Sequence, residues 1–447
     1  MNVPFTVRNI VLLAKNLGGR AYLVGGAVAD HLLGNEPKDW DLEVYGIPFS
    51  DLRDALRAAE LQPKLVGESF GVLKVGDIDV SIPRKDNKVG AKHQDFDILL
   101  DHNMSVEDAA RRRDLTINSL LYDIDRDEVV DPFDGVNDLS RGVLRATDPY
   151  TFVEDPLRVL RIMQLLPRKG KLVHPGTLEL CHGLSETFSA LSQERVMVEF
   201  EKLLMRAEKP SVGLRFLQDV DWLKHFPELT SLVGCPQNPE HHPEGDAWEH
   251  TLCVVDNAAM LKDWIPEDWR LAFMFGCLLH DVGKPEVTDL ETFTAHGHDK
   301  AGEPLAERFM RRLTTEKELV TKVKALVRNH MQPYFLESGG AKASAWRRLH
   351  NKVRLDVLGW ASVCDKAASH PEVLTEGHAR SWACWKRFEE LGCQGEPIKP
   401  KLLGRHLIEA GMQPGPEFGP KLKRAYEAQL DDDTLELERL LEIALEG

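Results

Sequence analysis

Near Pro156 the sequence changes its hydrophobic period, and that change restricts the folds open to it more than any other feature. Before it stand short apolar runs bounded by Gly, Pro or Asp, such as AYLVGG, WDLEVYG and GVLKVGDIDVSI, with the length and β-branched content of strands. After it, PLRVLRIMQLL, ERVMVEFEKLLMRA and ELVTKVKALVRNH repeat apolar residues at helical spacing, and strand candidates are few. The pattern predicts an α/β head followed by an all-helical body. A chain of 447 residues is too long for one hydrophobic core, so about two to four domains are expected. Gly- and Pro-rich breaks at VGCPQNPEHHPEGD and GCQGEPIKP bracket a central helical domain.

Composition excludes several classes. Hydrophobic content of 43% and charged content of 29% are ordinary for a soluble globular protein. Every long segment is interrupted by charges, so no membrane span is expected. The apolar start of the chain is broken by Lys15 and Arg20 and has no small-residue cleavage site, so no signal peptide is expected either. Seven scattered cysteines without CxxC spacing suit buried thiols in a reducing cytoplasm rather than a disulfide framework. A net charge of −16 argues against a general nucleic-acid coat, yet leaves room for RNA gripped by local patches. Basic clusters occur at Arg111, Arg112 and Arg113, at Arg168, Lys169 and Lys171, and at Arg347, Arg348, Lys352 and Arg354. Each reads equally well as a solvated helix face.

The head carries PKDWDLEVY at 37–45. Residues two apart in a strand share a face, so Asp39 and Asp41 are expected to project together. Two adjacent carboxylates repel unless a cation lies between them, and oxygen-only ligands of this kind suit Mg²⁺. Read alone, the pair is also that of two solvated strand-edge aspartates. The preceding LVGGAVADHLLG describes a strand, a Gly25-Gly26 turn and a helix start, where backbone N–H groups can approach a phosphate. Turn and carboxylates together point to phosphoryl transfer from a metal-held triphosphate.

GGAVADHLLGNEPKDWDLEVYG resembles the signature of bacterial-type (class II) tRNA nucleotidyltransferases and the related poly(A) polymerases. RRRDLTINSLLYD (111–123), DPFDGVNDLSRGVLRA (131–146) and EDPLRVLR (154–161) are similar to the next three family motifs, in the family's order. HPGTLEL, QERVMVEFEKLL and GRHLIEAGMQPGPEFG also resemble family segments, so the likeness spans nearly the whole chain. It implies an α+β protein: a nucleotidyltransferase head with a small mixed sheet at 1–140, a nucleotide-selecting helical neck at 141–210, a helical body at 211–390 and a helical tRNA-binding tail at 391–447. It further implies that Asp39 and Asp41 are catalytic and hold Mg²⁺, and that Gly25, Gly26, Arg113, Asp114 and Asn118 bind the nucleotide. Asp79, in the neighbouring DIDV, is either a third carboxylate of that site or a solvated one. Two departures stand out, because Ala29 and Gln164 occupy positions where family members usually carry Arg.

In EDPLRVLR, Asp155 suits a helix N-cap and Pro156 the first helical position. The same residues have a second reading. Cytosine and adenine both present an exocyclic amino donor beside a ring-nitrogen acceptor, which a carboxylate and a guanidinium complement. Guanine and uracil reverse both positions. The resemblance implies this templating role for Asp155 and Arg158, with Glu154 holding Arg158 and Arg161 near the nucleotide. The expected partners are thus tRNA, CTP and ATP, with no membrane, for a cytoplasmic monomer or homodimer.

The body contains WEHTL, LLHDVGK, AHGHDKAG, VRNHMQP and SVCDKAA in that order. A lone histidine on an apolar helix is usually a core residue, but the adjacent His280-Asp281 with His250 before and Asp365 after is harder to reach by accident. Imidazoles with carboxylates suit Ni²⁺, Mn²⁺ or another divalent ion better than thiolate-bound zinc. The order resembles the HD phosphohydrolase superfamily. It implies His250, His280, Asp281 and Asp365 as metal ligands, His298 and His330 as a second metal position, and Lys284 as a phosphate contact. Water acidified there would attack a phosphate ester.

The expected function is template-independent addition of C and A to the 3′ end of tRNA, joined to phosphohydrolase activity. Two alternatives remain. One is poly(A), A-only or CC-only synthesis, ranked lower because poly(A) polymerases tend to have an Arg-rich strand where this chain has GESFGVLKV. The other makes the HD site the main activity and the head an RNA-binding module.

Overall fold

A computed structural model describes the whole chain except residues 2, 38, 67–70, 89–95, 375–387, 389, 392, 394 and 447. The chain forms two compact units, Met1–Leu203 with Val212–His225, and Leu204–Ser211 with Phe226–Gly447.

The first unit opens with helix Phe5–Asn16. The short apolar runs give strands β1 (Arg20–Val24), β2 (Trp40–Tyr45), β4 (Val72–Val75) and β5 (Ile78–Ser81), joined by a two-residue β3 (Lys64–Leu65) that no such run marks. Strands β6 (Arg84–Lys88) and β7 (Phe96–Leu100) form a separate antiparallel pair, and β8 (Leu121–Asp123) and β9 (Glu128–Val130) return to the main sheet. That sheet has the order β3-β4-β5-β2-β1-β8-β9. Only β2 and β5 run parallel within it, so the sheet is mixed, as expected. GVLKVGDIDVSI is two strands, because Gly76 at φ +60° turns the chain between β4 and β5. Tyr22, Val24, Tyr45, Met104, Ala110 and Leu121 form a core behind the sheet and fix β1 against β2.

The neck helix, Leu157–Lys169, begins one residue later than Pro156 suggests, with Pro156 already in helical dihedrals. Asp155 Oδ1 accepts from the Leu157 N–H at 3.0 Å, the capping contact that its position implied. From there to the end, the described elements are helices apart from one two-residue strand, Leu172–Val173.

In the second unit, Ala247–Leu261, Glu267–Leu279, His298–Leu313, Lys317–Asn329 and Leu355–Ser369 form the body. Helix Ala247–Leu261 starts where Asp246 accepts from the Glu249 N–H at 2.9 Å. Gly404–Glu409, Phe418–Asp431 and Leu437–Leu445 build a small tail core around Leu402, Leu407, Ala425 and Leu440. Among the described residues no helix is long and apolar enough to cross a membrane. Cys181, Cys235, Cys277, Cys364 and Cys393 are buried free thiols, Cys253 is half-buried, and Cys384 lies outside the described residues.

Candidate functional site

In the head, the strand that carries the two aspartates starts at Trp40, so Asp41 is on β2 and Asp39 lies just before it. Both are exposed. Parallel pairing sets Asp41 directly beside Asp79 of β5, and antiparallel pairing sets Lys74 of β4 on the far side of Asp79, with Nζ 3.7 Å from its carboxylate. Desolvation among these neighbours, and then the charge of Asp79, raise the pKa of Asp41 above the usual carboxylate range.

The Gly25-Gly26 turn follows β1. Gly25 sits at φ +73°, which a side chain would strain, and a Cβ there would meet an Arg113 guanidinium nitrogen at 3.4 Å. Arg113 lies 3.5 Å from Glu43, the next residue on the Asp41 face, and Tyr45 donates to Glu43 at 2.6 Å. The first turn of helix Gly26–Leu32 is thereby bordered by a cation held from a neighbouring strand.

Asp114 and Asn118 are buried and bonded to one another at 3.0 Å. Asp114 also accepts from Arg161 at 2.5 Å. Burial opposes its ionisation, but the Arg161 guanidinium wins and lowers Asp114 to about 2. Arg158 donates to the Thr151 carbonyl and to the Arg112 carbonyl, each at 2.7 Å. Glu154, expected to hold Arg158, is exposed and adds to the negative charge that favours the guanidinium, while these two carbonyls take its hydrogen bonds. The other oxygen of Asp155 accepts from Arg195 at 2.6 Å. Arg195 had no role in the sequence reading, although QERVMVEFEKLL contains it; only tertiary contact brings it to Asp155. Asp155 and Arg158 are thus held in fixed orientations at the start of one helix by partners within the protein. Ala29 is fully buried and Gln164 accepts from Arg168 at 2.6 Å.

In the body, four imidazoles and two carboxylates converge. His250 Nε2 lies 3.0 Å from Asp365, 3.7 Å from Asp281 and 3.4 Å from His280 Nε2. His280 Nε2 is 3.2 Å, and His298 Nε2 3.3 Å, from the two oxygens of Asp281. His298 and His330 face one another Nε2 to Nε2 at 2.9 Å. Three Nδ1 atoms donate to the carbonyl three residues back: His280 to Cys277, His298 to Ala295 and His330 to Val327, at 2.7–2.8 Å. A carbonyl only accepts, so each Nδ1 carries a proton, and in the neutral imidazole each Nε2 turns a lone pair inward. Lone pairs at 2.9 Å repel unless a cation is shared between them. His250, His280 and Asp281, and Asp281, His298 and His330, are each grouped closely enough to hold one ion. The residues fit divalent metal.

Glu244 completes this arrangement and was not singled out in PEHHPEGD. Its Oε1 accepts from His250 Nδ1 at 2.6 Å, His242 Nδ1 at 3.0 Å and Ser369 at 3.0 Å. Burial opposes protonation of His250, yet its bonds to Asp365 and Glu244 raise it to about 9, so a metal ion there competes with a proton. Burial, with the neighbouring His298, lowers His330 to about 4 and keeps it neutral. Lys284 Nζ, expected on phosphate, lies 2.6 Å from Asp281 and also contacts Gln237. The glycine of LLHDVGK is structural: a Cβ on Gly283 would lie 2.1 Å from the His298 carbonyl, so only glycine lets the Asp281 loop close on His298.

Comparison with known proteins covers both the head and the body. A poly A polymerase head domain matches residues 21–145, a probable RNA and SrmB-binding site of polymerase A matches 173–232, and an HD domain matches 247–367. The chain is 33% identical over 348 residues to the multifunctional CCA protein of Acinetobacter baumannii (strain AYE), covering 76% of this chain and 80% of that one. The chain belongs to the multifunctional CCA protein family. A second member, from Pseudomonas fluorescens, is 38% identical over 290 residues, 62% of this chain and 67% of its own. In fold, the chain is similar to the Bacillus stearothermophilus CCA-adding enzyme crystallised with CTP, with a TM-score of 0.67, 20% identity and 100% and 98% of the two chains covered. It is also similar to the Thermotoga maritima CCA-adding enzyme complexed with tRNA, with a TM-score of 0.59, 21% identity and 99% and 96% covered. A nucleotidyltransferase head and an HD domain, both of divalent-metal type, thus coexist in one chain of this family.

Proposed function

We propose that the protein adds C and A nucleotides to the 3′ end of tRNA in the cytoplasm and hydrolyses phosphate esters at its HD site. The observation that carries the first activity is one unit holding three parts together: the Gly25-Gly26 turn, the Asp39/Asp41 carboxylates, and an oriented Asp155 and Arg158. Asp39 and Asp41 would hold Mg²⁺, the turn and Arg113 would hold the triphosphate, and Asp114 with Asn118 would hold Arg161 beside the nucleotide. Asp155 accepts from the amino group of C or A while Arg158 donates to the ring nitrogen. The divalent ions supply charge neutralisation in the head and acidified water in the body.

At the HD site, His250, His280, Asp281 and Asp365 would hold Ni²⁺ or Mn²⁺, with His298 and His330 at a second position. Lys284 sits on Asp281 and is near enough to the same centre to meet a phosphate oxygen. A cyclic 2′,3′-phosphate or a 2′-phosphonucleotide is the substrate class that such a site on a tRNA enzyme would take. The domain limits that go with this reading are head 1–140, neck 141–210, body 211–390 and tail 391–447.

The test is to incubate the protein with a tRNA lacking its 3′ end and each nucleoside triphosphate in turn. Incorporation of CTP, then of ATP, with neither UTP nor GTP accepted, is the expected result. Long runs of A on unrelated RNA would overturn it in favour of a poly(A) polymerase.

A further inference from the structure

The neck helix reaches the head at both ends. At its start, Arg158 and Arg161 bind the Arg112 carbonyl and Asp114. At its last residue, Lys169 Nζ donates to the Gly26 carbonyl at 3.2 Å and pairs with Asp30 at 2.8 Å. The Lys169 side chain is 5% exposed, against 30% for Asp30. A lysine this enclosed is costly unless its partners are fixed, so this is not a surface ion pair. The turn helix, GAVADHL, brings no Lys or Arg of its own. The two glycines are instead flanked by cations from elsewhere, Arg113 3.4 Å from a Cβ on Gly25 and Lys169 3.8 Å from one on Gly26.

We propose that Lys169 is a positioning residue that locks the Gly25-Gly26 turn for the nucleotide triphosphate. By holding the Gly26 carbonyl back, it leaves the N–H groups of the turn facing the phosphates. Because Lys169 lies on the same helix as Arg158, the end that reads the base and the end that sets the phosphate turn form one rigid piece. This rests on the nucleotidyl-transfer reading.

The experiment measures binding of Mg–CTP, Mg–ATP and inorganic triphosphate to the full chain by calorimetry, followed by KM and kcat for addition. Lys169→Met should weaken all three ligands by about tenfold or more, raising KM for CTP and ATP alike with kcat changed less. Lys169→Arg should restore most of the loss, and Asp155→Ala should weaken the nucleotides but not inorganic triphosphate. Lys169→Met that binds inorganic triphosphate as wild type does, or a loss that Lys169→Arg fails to recover in a folded protein, overturns the proposal and leaves nucleotidyl transfer standing. A wild type that binds no nucleotide overturns both.

Discussion

The acids of the head and the imidazoles of the body would prepare a metal site in two opposite ways. Asp39 and Asp41 are exposed, with Asp41 raised by desolvation and by Asp79, and among the described residues they form no tight three-ligand group. His250, His280 and Asp281 are almost completely buried, and the two histidines are locked by second hydrogen bonds that they donate to Glu244 and to the Cys277 carbonyl. An oxygen site that shares its ion with substrate phosphates has to stay open and keep water in the shell. A site with its own resident ion gains from ligands whose tautomers are set in advance. The difference teaches that these two chemistries are separable, and each prediction below tries to break that separation.

The largest effect is expected in the head. Asp39→Ala or Asp41→Ala should reduce nucleotide addition by about a thousandfold or more, because charge neutralisation by the metal is lost. Circular dichroism should remain unchanged and HD-site hydrolysis intact. Near-normal addition in either variant, at matched folding, would remove the carboxylates from the mechanism.

The converse change is His280→Ala combined with Asp281→Ala. It should abolish both bound Ni²⁺ or Mn²⁺ and hydrolysis of a 2′,3′-cyclic phosphate, while CTP addition continues with Mg²⁺. Removing the transition metal with a chelator and then restoring Mg²⁺ alone should reproduce that split in the wild type. Loss of addition in the double variant, or hydrolysis that survives it, would show that the two sites are not independent.

Asp155→Ala tests selection rather than chemistry. Discrimination against UTP and GTP should fall by about 10- to 100-fold, the range of a pair of directed hydrogen bonds to a base edge. tRNA affinity should change less. An equal loss with all four nucleotides would make Asp155 a helix cap and a partner of Arg195, nothing more.

The smallest effect concerns the Asp114–Arg161 pair. Arg161 lowers Asp114 to about 2 in the folded state, below its unfolded value near 3.9. The stabilisation is therefore fully present above about pH 4 and is lost as pH falls toward 2, worth about 2 kcal/mol at most. The gap in thermal midpoint between wild type and Asp114→Asn should be wide at pH 6 and close as pH drops below 4. A gap independent of pH would mean that Asp114 acts only through Asn118 and the Leu115 N–H.

Legibility in the sequence followed interaction range. β2 was readable because the apolar positions of WDLEVY alternate, and the neck helix because Asp155 and Pro156 mark its start. His280 and Asp281 were readable because a pair of that chemistry is rare beside an apolar helix. Glu244, Arg195 and Lys169 were not. Arg195 and Lys169 touch their partners across tens of residues or more, Glu244 lies six positions from His250, and nothing in the local pattern of any of them marks it. RRRDLTINSLLYD contains Asp114 and Asn118, but nothing in that motif marks the bond by which Asp114, itself bonded to Asn118, holds Arg161.

What the sequence determined by itself is the order of elements and the identity of the chemistry, since periodicity and ligand type are local properties. Which oxygen faces which cation was decided only by tertiary structure. The parallel register of β2 against β5 put Asp41 beside Asp79. Carbonyls three residues back turned three histidine lone pairs inward. The neck helix carried Lys169 to a glycine turn 143 positions earlier in the chain. These are distances between groups far apart in sequence, and a one-dimensional pattern holds no record of them until the core has closed.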